Sequence, residues 1–514
     1  MEGVFVSDMI EPIRKRAKFS NRVYVLDTTL RDGEQTPGVC FTLDEKVEIA
    51  RKLDAIGVDV IEAGFPVNSE DEINTIKMIK GLGLRAKICG LARCVTGDID
   101  ACLKADVDRA HIFIATSDVH LKYKLRIDEA QALKQAVETA DYVKAHGLEC
   151  EFSCEDATRT PIERLIKFYT SVESHGADMH NVPDTVGVME PEAMQALIGV
   201  LCSRLKKPVS MHCHNDFGMA VANTLAGIKA GASQMHVTVN GLGERAGNAS
   251  LEQAATALEA MYGVKTGIKL SMLKDASKLV ERASMIRLTP NYPIVGDNAF
   301  AHEAGIHVHG VLAKAESYEP FTPEMVGQKR RIVMGKHTGK HAVSNFIKEK
   351  YNLSNDQITE VVEKVRCHTI NKKKITEDDV TTIVESVLGS MSEEDRLVRL
   401  NEILVVTGNK ITPTASVQLT ANDAKKVAAG VGTGPVDALS KAIQSALGEE
   451  IKLLNYRLEA ISGGTDSLCT VEVEVEDNEG RTASGMAVGG DIVMVSVNAI
   501  MESINRIYAK RRRE

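Results

Sequence analysis

The stretch Met211-His212-Cys213-His214-Asn215-Asp216 sets two imidazoles one residue apart. It follows Pro208 and Val209 and closes at Gly218, the pattern of a strand running into a loop. Strand side chains alternate, so His212 and His214 share a face, roughly 7 Å apart along the chain. Two imidazoles at a strand's end make half of a divalent metal site. A polar strand end without a metal carries the same pair, so the surrounding chain has to decide between the two.

Carboxylates gather in comparable places. Thr28-Thr29-Leu30-Arg31-Asp32-Gly33-Glu34-Gln35 closes one apolar run, and Glu62 closes another before Gly64-Phe65-Pro66. Ser153-Cys154-Glu155-Asp156, Pro183-Asp184-Thr185 and Gly241-Leu242-Gly243-Glu244-Arg245-Ala246-Gly247-Asn248 do the same further on. His111 and Thr116-Ser117 lie on another such run. A separate hot spot from His302 to His309 holds three histidines in eight residues beside Glu303. It lacks Cys ligands, so it is not read as an independent zinc cluster.

The elements that must position these groups repeat one pattern from Arg22 to Gly263. Strands are predicted at Val23–Leu30, Val58–Gly64, Ala86–Ala92, Arg109–Ala115, Glu149–Ser153, Met179–Pro183, Val209–His214 and Gln234–Asn240. Helical stretches lie between them, among them Leu43–Ile56, Ser69–Gly81, Glu129–His146, Pro161–Ser174 and Pro191–Leu205, and Ser250–Met261 closes the run. About eight β-then-α units in roughly 240 residues predict an α/β fold of the (β/α)8 TIM-barrel type. An open doubly wound sheet would use fewer strands and a GxGxxG turn after the first, which is missing. Active sites of such barrels form at the C-terminal ends of the strands. Carboxylates, Arg31 and two histidines then converge on one rim.

Beyond Ile268 the period breaks. Leu270–Ser284, Asp356–Cys367 and Glu377–Leu388 read as helices, with Asn371-Lys372-Lys373-Lys374 as a solvated loop. This helical linker region ends in the charged segment Ser392–Arg399. Strands at Ile403–Val406, Ala415–Leu419 and Lys426–Gly430 then lead to a helix, Val436–Leu447. Strands at Lys452–Ala460, Leu468–Val475 and Arg481–Val488 lead to a second, Ile492–Tyr508. The echo predicts a C-terminal α+β (βββα)2 domain. It has few candidate catalytic groups, so binding or regulation is expected of it. The expected division is a catalytic barrel over 22–266, linker subdomains over 267–398 and a regulatory domain over 399–514.

The chain has 514 residues and 44% hydrophobic content, enough for more than one core. A net charge of -9 argues against a nucleic-acid surface, and Lys510–Arg513 reads as a solvated helix end. No apolar run approaches the roughly 20 residues that span a bilayer. No apolar segment of a secretory signal follows Arg14–Lys18. Ten cysteines without a CxxC fit a reduced, cytoplasmic protein. Neither nucleic acid nor membrane is expected as a partner.

Asp27-Thr28-Thr29-Leu30-Arg31-Asp32-Gly33-Glu34-Gln35-Thr36-Pro37-Gly38 resembles the N-terminal signature of the 2-isopropylmalate, citramalate and homocitrate synthase family. His212-Cys213-His214-Asn215-Asp216 and Asn240–Asn248 resemble its two other signatures. Three long motifs in order are specific. The likeness extends over nearly the whole chain, including a C-terminal region like the family's leucine-binding regulatory domain. It implies a Claisen condensation of acetyl-CoA with a 2-oxoacid, then thioester hydrolysis. It also implies a divalent cation (Mg, Mn or Zn) held by Asp32, His212, His214 and, more weakly, Asn248. Such a cation can chelate the oxoacid and polarise its ketone. Arg31 would steady the developing alkoxide.

Glu155 and His307 match the family's acid–base pair. The linker histidine of relatives reaches the other subunit's barrel, so a homodimer is expected. His302 and Tyr318 are further candidates nearby. Thr185 matches the position that bonds the oxoacid carboxylate, and Ser153 and His111 are expected substrate contacts at the rim. Ile61–Pro66 and Asn181–Thr185 look more like isopropylmalate synthases than citramalate synthases. The implied reaction therefore joins acetyl-CoA to 2-oxoisovalerate, giving 2-isopropylmalate at the first committed step of leucine biosynthesis. Feedback by an amino acid such as leucine is expected with it. Leu91 and Phe113 are placed to switch the substituent, one or two methyl groups being worth about 1–3 kcal/mol. Pyruvate, giving citramalate, is the alternative. Homocitrate synthases often have Glu where Asp32 stands, and most lack the C-terminal domain. A non-catalytic amino-acid sensor would have let Arg31, Asp32, Glu155, His212, His214 and His307 drift. A metal-dependent aldolase or lyase would not account for the linker histidines or the βββα repeat.

Overall fold

Eight parallel strands pair in sequence order, and the last returns to the first to close a barrel. The computed structural model describes residues 3–302, 307, 310–311, 313–332, 353–371, 380, 383–384, 387, 396–421, 424–460 and 467–513. The strands are β1 (Tyr24–Asp27), β2 (Val60–Gly64), β3 (Lys87–Arg93), β4 (Arg109–Ala115), β5 (Glu149–Glu155), β6 (Met179–Asp184), β7 (Val209–Cys213) and β8 (Gln234–Val237). Outward residues such as Ala110, Ile112, Phe152 and Val182 share one core with Ile49, Leu53, Ile76 and Leu165 of the surrounding helices. The two apolar periods, two on the strands and near four on the helices, thus meet in one layer. The expected (β/α)8 barrel is present.

Strand ends moved where turns compete. β1 stops at Asp27 rather than Leu30. The Thr28 carbonyl accepts from the N–H groups of Arg31, Asp32 and Gly33 at 3.1, 2.8 and 3.0 Å, which bends the chain inward. β8 stops at Val237 rather than Asn240, because Val239–Gly241 forms a 3-10 turn with Asn240 at φ 62°. β7 stops at Cys213, and His214 makes a single bridge with Asn248.

The barrel's interior is only partly apolar. Leu26, Val60 and Cys89 make a small apolar patch on the β1–β3 side. Elsewhere a buried ion network replaces the usual branched aliphatic layers. Arg109 donates to Glu149 at 2.6 Å, to Glu151 at 2.8 Å and to Gln234 at 3.0 Å. Glu151 also meets His236 Nε2 at 2.8 Å. Buried charges persist only when paired and hydrogen-bonded like this. The network sets the His236 ring edge-on to His111 and His212, with centroids 5.4 and 5.5 Å apart. It forms the base on which the rim is built.

The chain divides into two compact units, Met1–Phe300 with Tyr318–Arg330 and Ala301–Ser317 with Arg331–Glu514. The helix Leu273–Ser284 belongs to the first, where Leu273, Ala276 and Val280 join the barrel core. In the second, Ile358, Val361 and Val365 of the helix Asn355–Asn371 share a core with Val380, Ile383 and Val384. Most of the expected helix Glu377–Leu388, the loop residues Lys372–Lys374 and the first half of the boundary segment Ser392–Arg399 lie outside the described residues. So do Glu303 and His309. The expected (βββα)2 repeat is observed. β9 (Val398–Gly408), β10 (Ile411–Ala421) and β11 (Ala424–Val431) form an antiparallel sheet followed by the helix Pro435–Leu447. β12 (Lys452–Ala460), β13 (Cys469–Glu476) and β14 (Thr482–Gly489) form another, followed by the helix Ile492–Arg513. Leu419, Ile443, Val473 and Ile500 from both halves lie in one core. Among the described residues no helix is long and apolar enough to cross a membrane.

Candidate active site

Asp32 stands at the head of the 3-10 turn Gly33–Gln35 that follows β1. His212 lies near the end of β7, and His214 just past it. Their ligand atoms all fall within 4.8 Å of one another, and all three residues are buried. His212 Nε2 is 3.3 Å and His214 Nε2 3.8 Å from Asp32 Oδ2. The two Nε2 atoms face each other at 3.2 Å. Burial pushes the Asp32 carboxyl up, but Arg31 and the two imidazoles outweigh it and hold it well below the usual carboxylate range. Burial, then His212, brings the His214 imidazole down to about 4. Burial lowers His212 as well. An ionised carboxylate and two neutral imidazoles are the donor set that a divalent cation requires.

Asn248 completes the neighbourhood. Its Nδ2 donates to the Leu242 carbonyl at 3.0 Å, and its buried Oδ1 has no hydrogen-bond partner. An orphaned carbonyl oxygen on the residue bridged to His214 fits a weak ligand to the same cation. Two glycines allow this turn. Gly243 has φ 155°, and a Cβ there would lie 2.2 Å from Asn248 Nδ2. Gly247 has φ 89°, and its Cβ would lie 2.0 Å from the Gly241 carbonyl oxygen.

These groups open into a cavity of about 240 Å³ at the C-terminal ends of the strands. Arg31, Asp32, His212 and His214 line one side. Leu91, His111, Phe113 and Ser153 line another, and Glu155 and Thr185 complete the expected set. Phe65 packs edge-on to Phe113, with centroids 6.4 Å apart. Thr185 Oγ1 accepts from the Asp156 N–H at 2.9 Å, which leaves its own proton to donate elsewhere. Tyr318 is not among the lining residues, and the residue is 44% exposed. His302 and His307 belong to the second unit, where His307 is exposed.

Several groups were given no individual role from the sequence. Lys124 lines the cavity and pairs with Glu155 Oε1 at 2.5 Å, with His120 Nδ1 3.8 Å from the same oxygen. Arg245 forks onto Asp216 at 2.8 and 3.1 Å and reaches the Thr185 carbonyl at 2.8 Å, tying the loops after β6, β7 and β8 together. Glu62 is fully buried beneath the cavity. It accepts from Thr28 Oγ1 and Arg31 Nε, each at 2.6 Å, and lies 2.6 Å from His111 Nδ1. Burial opposes its charge, but Arg31, then His111, hold its carboxyl well below the usual range. Two-residue parity along β2 would have marked Glu62 as inward-facing beside Val60. Nothing in the sequence around Lys124 marks it as a rim residue.

The barrel matches the family model described as HMGL-like over residues 22–280. Residues 294–373 match a homocitrate synthase post-HMGL domain-like model, and 374–508 match the LeuA allosteric (dimerisation) domain. Fold and site together define a barrel acyltransferase with a LeuA-type C-terminal domain. The chain is 51% identical to 2-isopropylmalate synthase of Methanocaldococcus jannaschii over 510 residues, covering 98% of each chain. It is 53% identical to a probable 2-isopropylmalate synthase of Methanopyrus kandleri, covering 96% of this chain and 99% of that one. It is 47% identical to (R)-citramalate synthase of Methanocaldococcus jannaschii, covering 94% of this chain and 99% of that one. The chain belongs to the 2-isopropylmalate and citramalate synthase family, whose acetyl-CoA-dependent and generally metal-dependent enzymes condense the thioester with a 2-oxoacid.

Proposed function

We propose that the protein condenses acetyl-CoA with 2-oxoisovalerate and hydrolyses the thioester, giving 2-isopropylmalate and CoA. The observation that carries this is the single cavity in which Asp32, His212, His214 and Arg31 face an apolar wall of Leu91 and Phe113. Asp32, His212 and His214, with Asn248 as a weaker fourth, would hold a divalent cation that, when bound, polarises the ketone of a chelated oxoacid. Arg31, fixed by Glu62, offers a guanidinium to the oxygen on which charge develops. Thr185 donates to the oxoacid carboxylate. Glu155 removes a proton from the acetyl methyl group, and the new carbanion attacks the ketone carbon. His307 supplies the matching acid, contributed across a homodimer, with Tyr318 assisting. Water then attacks the thioester carbonyl and CoA leaves as its thiol. Leu91 and Phe113, with His111 and Ser153 beneath them, hold the isopropyl group. The division into a catalytic barrel (22–266), linker (267–398) and regulatory domain (399–514) belongs to the same proposal. The nine cysteines whose side chains are described are all free, and the protein is placed in a reduced, cytoplasmic setting.

Pyruvate is the second candidate, since a citramalate synthase relative is 47% identical. Thiol release from acetyl-CoA with 2-oxoisovalerate, pyruvate or 2-oxoglutarate, with and without a chelator, separates the two. A chelator-sensitive preference for 2-oxoisovalerate is expected. Preference for pyruvate would overturn the substrate, and no release with any oxoacid would overturn the reaction.

The LeuA-type C-terminal region also supports feedback by a branched-chain amino acid such as leucine. Deleting Glu402–Glu514 is expected to abolish inhibition by leucine in the thiol-release assay. Inhibition that survives the deletion would place the effector site elsewhere.

A further inference from the structure

Lys46 heads the buried face of its helix. In the helix Leu43–Ile56 the buried residues are Lys46, Ile49, Ala50, Leu53 and Ile56, the spacing of a core-facing stripe. Lys46 is only 6% exposed. Its ammonium donates to Glu34 Oε2 at 2.7 Å and to Glu72 Oε2 at 3.2 Å. Burial opposes the charge, but Glu34 and Glu72 outweigh it and hold the ammonium above its usual range. A buried ion triad adds little net stability, because desolvation offsets most of the attraction. What this one fixes is geometry.

Both carboxylates lead toward the candidate site. Glu34 belongs to the turn Gly33–Gln35, which Asp32 heads. Its Oε1 accepts from the Phe41 N–H at 3.0 Å, closing the strap between them. Thr36 pins that strap, its Oγ1 accepting from the Gly243 N–H at 2.8 Å and donating to the Gly243 carbonyl at 3.2 Å. The Asp32 turn and the loop that carries Asn248 are thus tied together. Glu72 lies on the helix Glu70–Lys80, and its Oε1 accepts from the Phe65 N–H at 3.3 Å, just past β2. Gly64 makes room for it, since a Cβ there would lie 2.1 Å from Glu72 Oε1. Lys46 is the cation between these two groups and is not itself among the cavity-lining residues. We propose that Lys46, which lies outside all three sequence signatures, is a positioning residue for the cation site proposed above: through Glu34 and Glu72 it clamps the Asp32 turn against the end of β2. Without the ammonium, two carboxylates face each other and the turn is no longer held at its distance from His212 and His214.

The full chain is stripped of metal and titrated with manganese(II) alone, the free ion being read by EPR. Asp32→Ala is the blank for binding elsewhere on the surface. Lys46→Met is expected to weaken manganese binding about tenfold, the lower end of what outer-shell partners contribute. Lys46→Arg keeps the charge and can reach both carboxylates, so it should recover most of the loss. In the metal-free protein, hydrogen exchange is followed peptide by peptide. Lys46→Met should raise exchange over Asp32–Phe41 and leave β7 unchanged. Lys144→Met breaks the Lys144–Asp178 pair, 2.8 Å apart at the opposite end of the barrel, and should leave manganese binding unchanged. Should Lys46→Met not fold, Glu72→Ala cuts the same tie while Glu34 still neutralises the ammonium, and the same two changes are expected of it. Unaltered affinity in the folded variant, or unaltered exchange over Asp32–Phe41, overturns the proposal. Exchange that rises through the whole barrel means general loosening and overturns it too. Lys46→Arg binding no better than Lys46→Met would overturn the role of the charge. A wild type that binds no manganese above the Asp32→Ala blank would instead overturn the cation site itself.

Discussion

Asp32→Ala is expected to lose its cation and its thiol release together while the barrel stays folded. Asp32 supplies the one carboxylate of the trio proposed to hold the cation. Without it, two neutral imidazoles and an amide oxygen remain, with no charge to offset the cation's desolvation. Changes to outer-shell partners cost about 10–100-fold in metal affinity, and loss of this ligand should exceed that range. The turn that carries Asp32 is held by its backbone N–H on the Thr28 carbonyl at 2.8 Å, which alanine keeps. Arg31 also keeps its partner Glu62 at 2.6 Å. Metal content after dialysis, read beside circular dichroism, checks the prediction. A variant that keeps full activity would remove Asp32 from the cation's shell.

Glu155→Gln should leave the cation in place and lower kcat about 10²–10⁴-fold, the usual contribution of a positioned base. Glutamine preserves the shape of the side chain at the end of β5 and its reach into the cavity. It cannot take a proton from the acetyl methyl group. The KM for the oxoacid should change little, since Arg31, Thr185 and the cation-holding trio are untouched. Lys124 loses its ionic partner, so Lys124→Met is the useful control. That variant removes the ammonium while leaving the carboxylate. Comparable kcat for Glu155→Gln and wild type would show that another group abstracts the proton.

The barrel was legible because strand and helix periods alternate without interruption through β8. β4 was expected over Arg109–Ala115 and is observed there, since no turn residue competes at either end. The rim residues Asp32, Glu155, Thr185, His212 and His214 could be placed by the rule that barrel chemistry gathers at strand C-termini. What stayed hidden was contact between strands. Glu62, His111, Ser153 and Asn181 lie on β2, β4, β5 and β6, and only closure of the ring brings them within hydrogen-bonding distance. The ion network of Arg109, Glu151, Gln234 and His236 was hidden for the same reason. Periodicity predicts an inward face but not that its residues will be charged partners. The ends of β1 and β8 were misplaced because Thr28 and Asn240 begin turns inside runs of strand-forming composition.

The most direct measurement follows the new carbon–carbon bond. The metal-loaded protein is supplied with acetyl-CoA labelled with carbon-13 at the methyl carbon, together with 2-oxoisovalerate, and the products are read by NMR. The predicted result is label in the methylene carbon of 2-isopropylmalate, formed in step with free CoA and stopped by a chelator. Label recovered only in acetate would mean that the thioester is cleaved without condensation, and would contradict the proposed reaction.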